Sequence, residues 1–258
     1  MRKAILLIAY GAENYRAKSG LALFESACRA RFPDISPRWA YSSPLVRERI
    51  AKKRQKSDSI SKALRKLYFE KNEAVAVQPL QLIPGREYEE TLAQISQARE
   101  ETGMRVEIGA PLMRDEDDAD SLASALMKDA PSERTPEEAI VYLGHGARHA
   151  KSFLYETLAE KIGEKDKNIY IGALNGKLGI EKIINDLASE TVWLIPLFAN
   201  IGRHALEDMA GDKPDSWLSR LVAAGFSCKP VLKGLAEAEN ARSIWLDRLS
   251  SAASKLRE

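Results

Sequence analysis

VAVQPLQLIPGRE, residues 75–87, and VWLIPLFANIGRH, residues 192–204, align without a gap. Val75 falls on Val192, Pro79 on Pro196, Leu80 on Leu197, Gly85 on Gly202 and Arg86 on Arg203. Each stretch starts as an apolar run, turns at Pro-Leu and reaches Gly-Arg just before a helical pattern. That order describes a buried strand, a loop and a helix start. A second pair of stretches keeps the same order: Ala4-Ile5 through Tyr10-Gly11-Ala12 matches Ala139-Ile140 through His145-Gly146-Ala147. Two matched windows in one order, both at strand ends, imply a duplicated domain.

The rest of the chain extends this reading. Strand-like stretches at residues 4–9, 38–42, 74–78 and 106–110 alternate with helical patterns, and the alternation recurs at 139–143, 169–173, 192–198 and 227–231. Near-continuous apolar strands separated by helices indicate parallel sheets covered on both faces. The expected fold class is α/β: two similar domains, each a parallel sheet with helices on both faces. The polar stretch 129–138 (DAPSERTPEE) reads as a linker. It sets the domains at 1–130 and 131–258, with the terminal helix free to pack back on the first half. A length of 258 residues suffices for a core in each half, and 39 basic against 37 acidic residues give no bias toward nucleic acid or an anionic membrane. The apolar run 4–9 is far short of the roughly 20 residues of a membrane span. It also lacks the length and cleavage site of a signal peptide. Cys28 and Cys228 make no metal-type or disulfide pattern, so a reduced, cytoplasmic setting is expected.

Ligands of open parallel sheets bind beyond the carboxyl ends of the strands. The duplication places Tyr10 and His145 at one pair of matching strand tips, and Glu87 and His204 at another. All three histidines, His145, His149 and His204, are expected in loops just past strands. Two neutral imidazoles with one acidic or polar group would hold a borderline divalent ion such as Co, Fe, Ni or Zn with positions left open. On a regular helix Glu207 shares a face with His204, as a ligand, an acid–base partner or simply a first-turn carboxylate. Arg86, Arg148 and Arg203 flank these positions, and guanidinium forks suit a ligand with several carboxylates. The basic run 47–56 (RERIAKKRQK) reads as a solvated helix face. Gly176-Lys177 fails the phosphate-loop pattern, and neither a dinucleotide-type glycine motif nor a serine-nucleophile elbow occurs. No nucleotide cofactor is expected.

Several segments carry a resemblance to a known family: Gly144-His145-Gly146-Ala147 with His149, Ile83-Pro84-Gly85-Arg86-Glu87-Tyr88-Glu89, and His204-Ala205 with Asp208-Met209-Ala210 followed by Asp215-Ser216-Trp217. In this order they resemble the anaerobic, ATP-independent cobalt chelatases of cobalamin synthesis, which act on sirohydrochlorin. The resemblance runs from Lys3 to about Leu235. It implies a chelatase-like fold with the tetrapyrrole between two domains, and Co²⁺ as substrate metal. It implies metal binding by His145 and His204, with Asn175 at a third position where the family usually has glutamate. Glu87, with Glu207 as the other candidate, would set metal choice or accept protons. The substrate would meet Tyr10-Gly11-Ala12, where the family usually has Phe-Gly-Thr or Ser, and Arg86, Arg148 and Arg203. Arg203 stands where aspartate is common. Alternative readings are a chelatase for Fe²⁺ or Ni²⁺, and a tetrapyrrole- or metal-binding homologue with reduced turnover. A homo-oligomer is compatible with each.

Overall fold

A computed structural model of the protein describes residues 2–146 and 150–256. The chain divides into two compact units, Met1–Arg114 with Arg242–Glu258, and Asp115–Ala241. Each contains a four-stranded, all-parallel sheet.

In the first unit the strands are β1 (Lys3–Ala9), β2 (Arg38–Tyr41), β3 (Ala74–Pro79) and β4 (Arg105–Ile108), in the order β2-β1-β3-β4. The helices α1 (Tyr15–Arg31), α2 (Pro44–Lys52), α3 (Ile60–Phe69) and α4 (Arg86–Thr102) connect them. Alternate residues of β1 explain the layering. Ala4, Leu6 and Ile8 pack with Leu64 and Leu67 of α3 and Ile95 of α4. Ile5 and Leu7 point the other way and are just as buried. On that side Phe24 of α1 stacks edge-on with Trp39 at 6.2 Å and with Trp245 of the terminal helix at 6.1 Å. In the central strands β1 and β3, apolar side chains on both faces therefore follow from helices on both faces of the sheet.

The second unit repeats the plan. Its strands β5 (Ala139–Gly146), β6 (Ile169–Asn175), β7 (Thr191–Pro196) and β8 (Ser227–Pro230) run in the order β6-β5-β7-β8. Helices α5 (Asp118–Lys128), α6 (Phe153–Lys165), α7 (Ile180–Asp186) and α8 (Trp217–Ala223) belong to it, with a π-helical segment His204–Met209 after β7. α9 (Glu239–Lys255) closes the chain. The matched windows are equivalent down to register: Ala4 pairs with Val75 and Ala139 with Val192. Beyond the strands, Leu80 N–H donates to the Ile8 carbonyl at 2.8 Å, and Leu197 N–H to the Leu143 carbonyl at 2.7 Å.

The division differs from a boundary at 130/131. α5 is counted with the second unit and most of α9 with the first. The buried Tyr142 hydroxyl of β5 donates to the Leu126 carbonyl of α5 at 2.6 Å. Residues 129–138 are not a linker but part of the second unit. Asp129 accepts from the Asn240 and Ala241 backbone N–H groups at 3.0 and 2.8 Å, and Glu138 binds Trp193 and Lys229 at 2.7 and 2.6 Å. Polar, proline-bearing composition marks exposed turns as readily as linkers. Ser59 caps α3, its hydroxyl accepting from Lys62 N–H at 3.3 Å. Among the described residues no helix is long and apolar enough to cross a membrane. Both cysteines are free.

Candidate metal centre

The Gly144-His145-Gly146 triplet is the end of β5 rather than a loop. Its glycines are required by their neighbours. A Cβ on Gly144 would stand 2.5 Å from the Tyr155 ring, and one on Gly146 would stand 1.9 Å from the Asn175 carbonyl oxygen. Gly146 also has φ +68°, a conformation that side chains with a Cβ rarely adopt. The strand therefore runs past its last neighbours with His145 exposed at the tip. The buried Tyr155 hydroxyl accepts from the His145 and Gly146 backbone N–H groups, and burial pushes its pKa up to about 12. Asn175, at the end of β6, donates from Nδ2 to the His145 carbonyl at 3.1 Å. Asn175 thus lies at the histidine-bearing tip, with its amide nitrogen committed to the backbone. A carboxylate could not make this donation.

His204 opens the π-helical segment, and its ring centroid lies 4.8 Å from that of His145, the two planes tilted by 41°. Phe198 flanks His204 at 6.2 Å. Burial, and next the neighbouring His204, hold the His145 pKa below its ordinary value, with Asp208 opposing them. A neutral imidazole has a lone pair available for a cation. Both histidines belong to the second unit. A depression of about 440 Å³ beside His204 is lined by Asn175, Glu181, Asp208, Asp215, Trp217 and Arg220. Among the described residues no group of three or more His, Cys, Asp and Glu side chains is gathered as a metal cage.

The expected His204–Glu207 pair is corrected by the structure. Glu207 binds Arg203 at 2.9 Å and lies 3.9 Å from Lys213, while His204 Nδ1 meets Asp208 Oδ2 at 2.5 Å. On a helical face both i+3 and i+4 are neighbours, and here Glu207 is taken by Arg203, leaving position i+4 to His204. The sequence reading weighed only i+3 and so missed Asp208, although Asp208 stands in the quoted motif.

Glu87 lies in the first turn of α4 in the first unit. The buried Ser42 hydroxyl donates to its Oε1 at 2.7 Å, and Gln81 Nε2 donates at 3.3 Å. Burial raises the Glu87 pKa above its ordinary value, against these two donors, with Glu90 adding a small push upward. Arg47, read from the sequence as part of a solvated face, donates to the Tyr41 and Ser42 carbonyls and so braces the segment that carries Ser42. Tyr10 is 53% exposed at the tip of β1. The next residues, Gly11 and Ala12, are buried. Arg86 pairs with Glu90 at 2.9 Å on the surface, the same i,i+4 arrangement as Arg203 with Glu207. Arg148 and His149 lie outside the described residues.

Known proteins resemble this chain in sequence and in fold. The profile of the cobalt chelatase (CbiK) family matches residues 3–254. The sirohydrochlorin cobaltochelatase CbiKC of Nitratidesulfovibrio vulgaris is 44% identical over 259 residues, covering 99% of this chain and 92% of that protein. The sirohydrochlorin cobaltochelatase of Salmonella typhimurium is 31% identical over 260 residues, covering 98% and 97%. Among solved structures, SirB from Bacillus subtilis with Fe³⁺ shares the fold at TM-score 0.72 and 15% identity, covering 100% of this chain and 98% of the other. CbiX, described as the terminal enzyme of sirohaem biosynthesis in denitrifying bacteria, shares it at TM-score 0.60 and 15% identity, covering 98% and 99%. With a family profile spanning both sheets and full-length relatives above 30% identity, the chain belongs to the cobalt chelatase (CbiK) family.

Proposed function

We propose that this protein inserts Co²⁺ into sirohydrochlorin without nucleotide hydrolysis. The carrying observation is the pair of imidazoles, His145 and His204, 4.8 Å apart on one unit of a chain whose relatives are named for this reaction. Two imidazole nitrogens hold a divalent ion more loosely than a full set of ligands and leave positions open, as delivery to a second ligand requires. Asn175 Oδ1 is assigned as a further oxygen, the Asn175 amide nitrogen being held by the His145 carbonyl.

Insertion removes two pyrrole N–H protons. Glu87 is assigned the proton-accepting role. A buried carboxylate with raised proton affinity is closer to the pKa of a working base than a solvated one. The carboxylates of the macrocycle fall to Arg86 and Arg203, whose present partners are exposed glutamates and therefore exchangeable at small cost. Tyr10, Gly11 and Ala12 offer an aromatic face and a compact backbone at the tip of β1. Arg148 retains its sequence-based place as a third arginine. Glu207 is assigned to Arg203 and not to acid–base work. The reading places the protein in the cytoplasm.

The test is anaerobic incubation with sirohydrochlorin and Co²⁺, Fe²⁺ or Ni²⁺ in turn, followed by the absorption change of the macrocycle. Co²⁺ is expected to be inserted by the wild type, with His145→Ala and His204→Ala each slower by about 10²-fold or more, the scale on which removal of a positioned catalytic group acts. Equal rates in the three proteins would remove the histidines from the mechanism. Insertion of Fe²⁺ or Ni²⁺ without Co²⁺ would change the assigned metal.

A further inference from the structure

We infer that Asp208 is a positioning residue of the metal centre, fixing the His204 ring so that Nε2 is the nitrogen offered to the cation. The inference deepens the two-histidine reading above and rests on it. The geometry is direct. Asp208 Oδ2 lies 2.5 Å from His204 Nδ1, a distance at which Nδ1 carries the proton and donates it to the carboxylate. With Nδ1 so engaged, the lone pair of the neutral ring is on Nε2. A carboxylate behind a ligating histidine sets the tautomer, the ring orientation and the donor strength together.

Three further observations single out Asp208. His204 and Asp208 stand at i,i+4 within the helical segment His204–Met209, so both side chains share one face. The other nearby carboxylate, Glu207, is drawn away by Arg203 and Lys213. The aligned positions in the first unit are Glu87 and Thr91, so the His–Asp pair belongs to the second unit, where His145 also lies. Phe198 walls one side of the His204 ring, and the Asp208 contact supplies the polar restraint that an aromatic neighbour cannot.

The experiment uses the full chain. Co²⁺ is titrated into wild type, His145→Ala, His204→Ala, Asp208→Asn and Asp208→Glu, and the visible d–d absorption gives affinity and coordination. The His204 Nδ1–H resonance is followed by NMR in ¹⁵N-histidine-labelled protein, and circular dichroism checks folding. Asp208→Asn is expected to fold, since the Asp208 side chain is 46% exposed. It is expected to weaken the hydrogen bond, shifting the Nδ1–H signal upfield, and to bind Co²⁺ 10- to 100-fold more weakly, roughly the cost of removing such an outer partner. Asp208→Glu, which keeps a carboxylate, is expected to recover part of the affinity. Wild-type binding that depends on both histidines, with Asp208→Asn unchanged in affinity and in the Nδ1–H signal, would overturn the role of Asp208 alone. A wild-type cobalt spectrum indifferent to both alanine variants would overturn the two-histidine reading, and this inference with it.

Discussion

At the scale of single residues, His145 and Glu87 have proton affinities shifted in opposite directions, and the signs matter. His145 is lowered by burial and by His204, so it stays neutral to a lower pH than the ordinary value of 6.5. Glu87 is raised by burial above 4.5 and accepts protons only while ionised. Activity therefore falls on the acid side as pH drops through the Glu87 value, and the lowered His145 value delays the histidine contribution. Ser42 donates to the ionised carboxylate at 2.7 Å and so stabilises it. Ser42→Ala removes that donor and raises the Glu87 pKa further. The pH–rate profile of metal insertion is expected to keep its shape while its acid limb moves to higher pH. A limb in the same place would dissociate Glu87 from the rate. The sequence marked Glu87 by its alignment with His204. It gave no sign of Ser42, which lies far away along the chain and reaches Glu87 only because β2 and β3 both flank β1.

At the scale of elements, the tip of β5 illustrates how a short motif works. Gly144 and Gly146 are not ligands. They allow a strand carrying His145 to pass the Tyr155 ring and the Asn175 carbonyl. Gly146→Ala combines a clash at 1.9 Å with a residue at φ +68°, and such backbone strain costs about 1–3 kcal/mol. Thermal unfolding of this variant is expected at lower temperature, and Co²⁺ affinity is expected to fall with the displaced His145. Unchanged affinity in a folded variant would show that the tip tolerates the shift. The π-helical segment is the complementary case. Helical spacing offers both Glu207 and Asp208 to His204, and the choice follows from Arg203 and Lys213, which draw Glu207 away. Local spacing predicts a face, and competing charges decide the partner on it.

At the scale of the whole molecule, the duplicated plan includes the segments that follow β4 and β8. Leu112 and Met113 N–H bond to the Gln81 and Leu82 carbonyls, and Leu235 and Ala236 N–H to those of Phe198 and Ala199. After each, a helix begins: α5, counted with the second unit, and α9, counted mostly with the first. The first unit thus depends on the end of the chain. Trp245 of α9 is fully buried against Phe24, and its indole N–H donates to the Gln81 carbonyl at 3.3 Å. Trp245→Ala is expected to destabilise the protein by about 3–5 kcal/mol, the usual cost of deleting a buried large aromatic side chain. Denaturant unfolding should register this as an earlier transition in the signal from the first unit. A loss below about 1 kcal/mol would mean that α9 contributes little to that core.

The sequence by itself determined the duplication and the parallel β–α alternation, because the central strands, buried on both faces, are apolar at nearly every position and that pattern needs no distant information. The strands β2, β4 and β8 are partly polar and were marked by the alternation around them. Pro-Leu and glycine punctuation set His145, His204 and Glu87 in loops past strands, whereas His145 lies within β5 and His204 and Glu87 in the helical segments that follow β7 and β3. Only the tertiary structure decided which unit α5 and α9 join, that residues 129–138 are tied turns, and that Asp208 rather than Glu207 meets His204. These outcomes depend on long-range packing and on competition among neighbouring charges. Neither leaves a periodic signature in the chain, because the same polar and apolar residues satisfy either arrangement until their neighbours are in place.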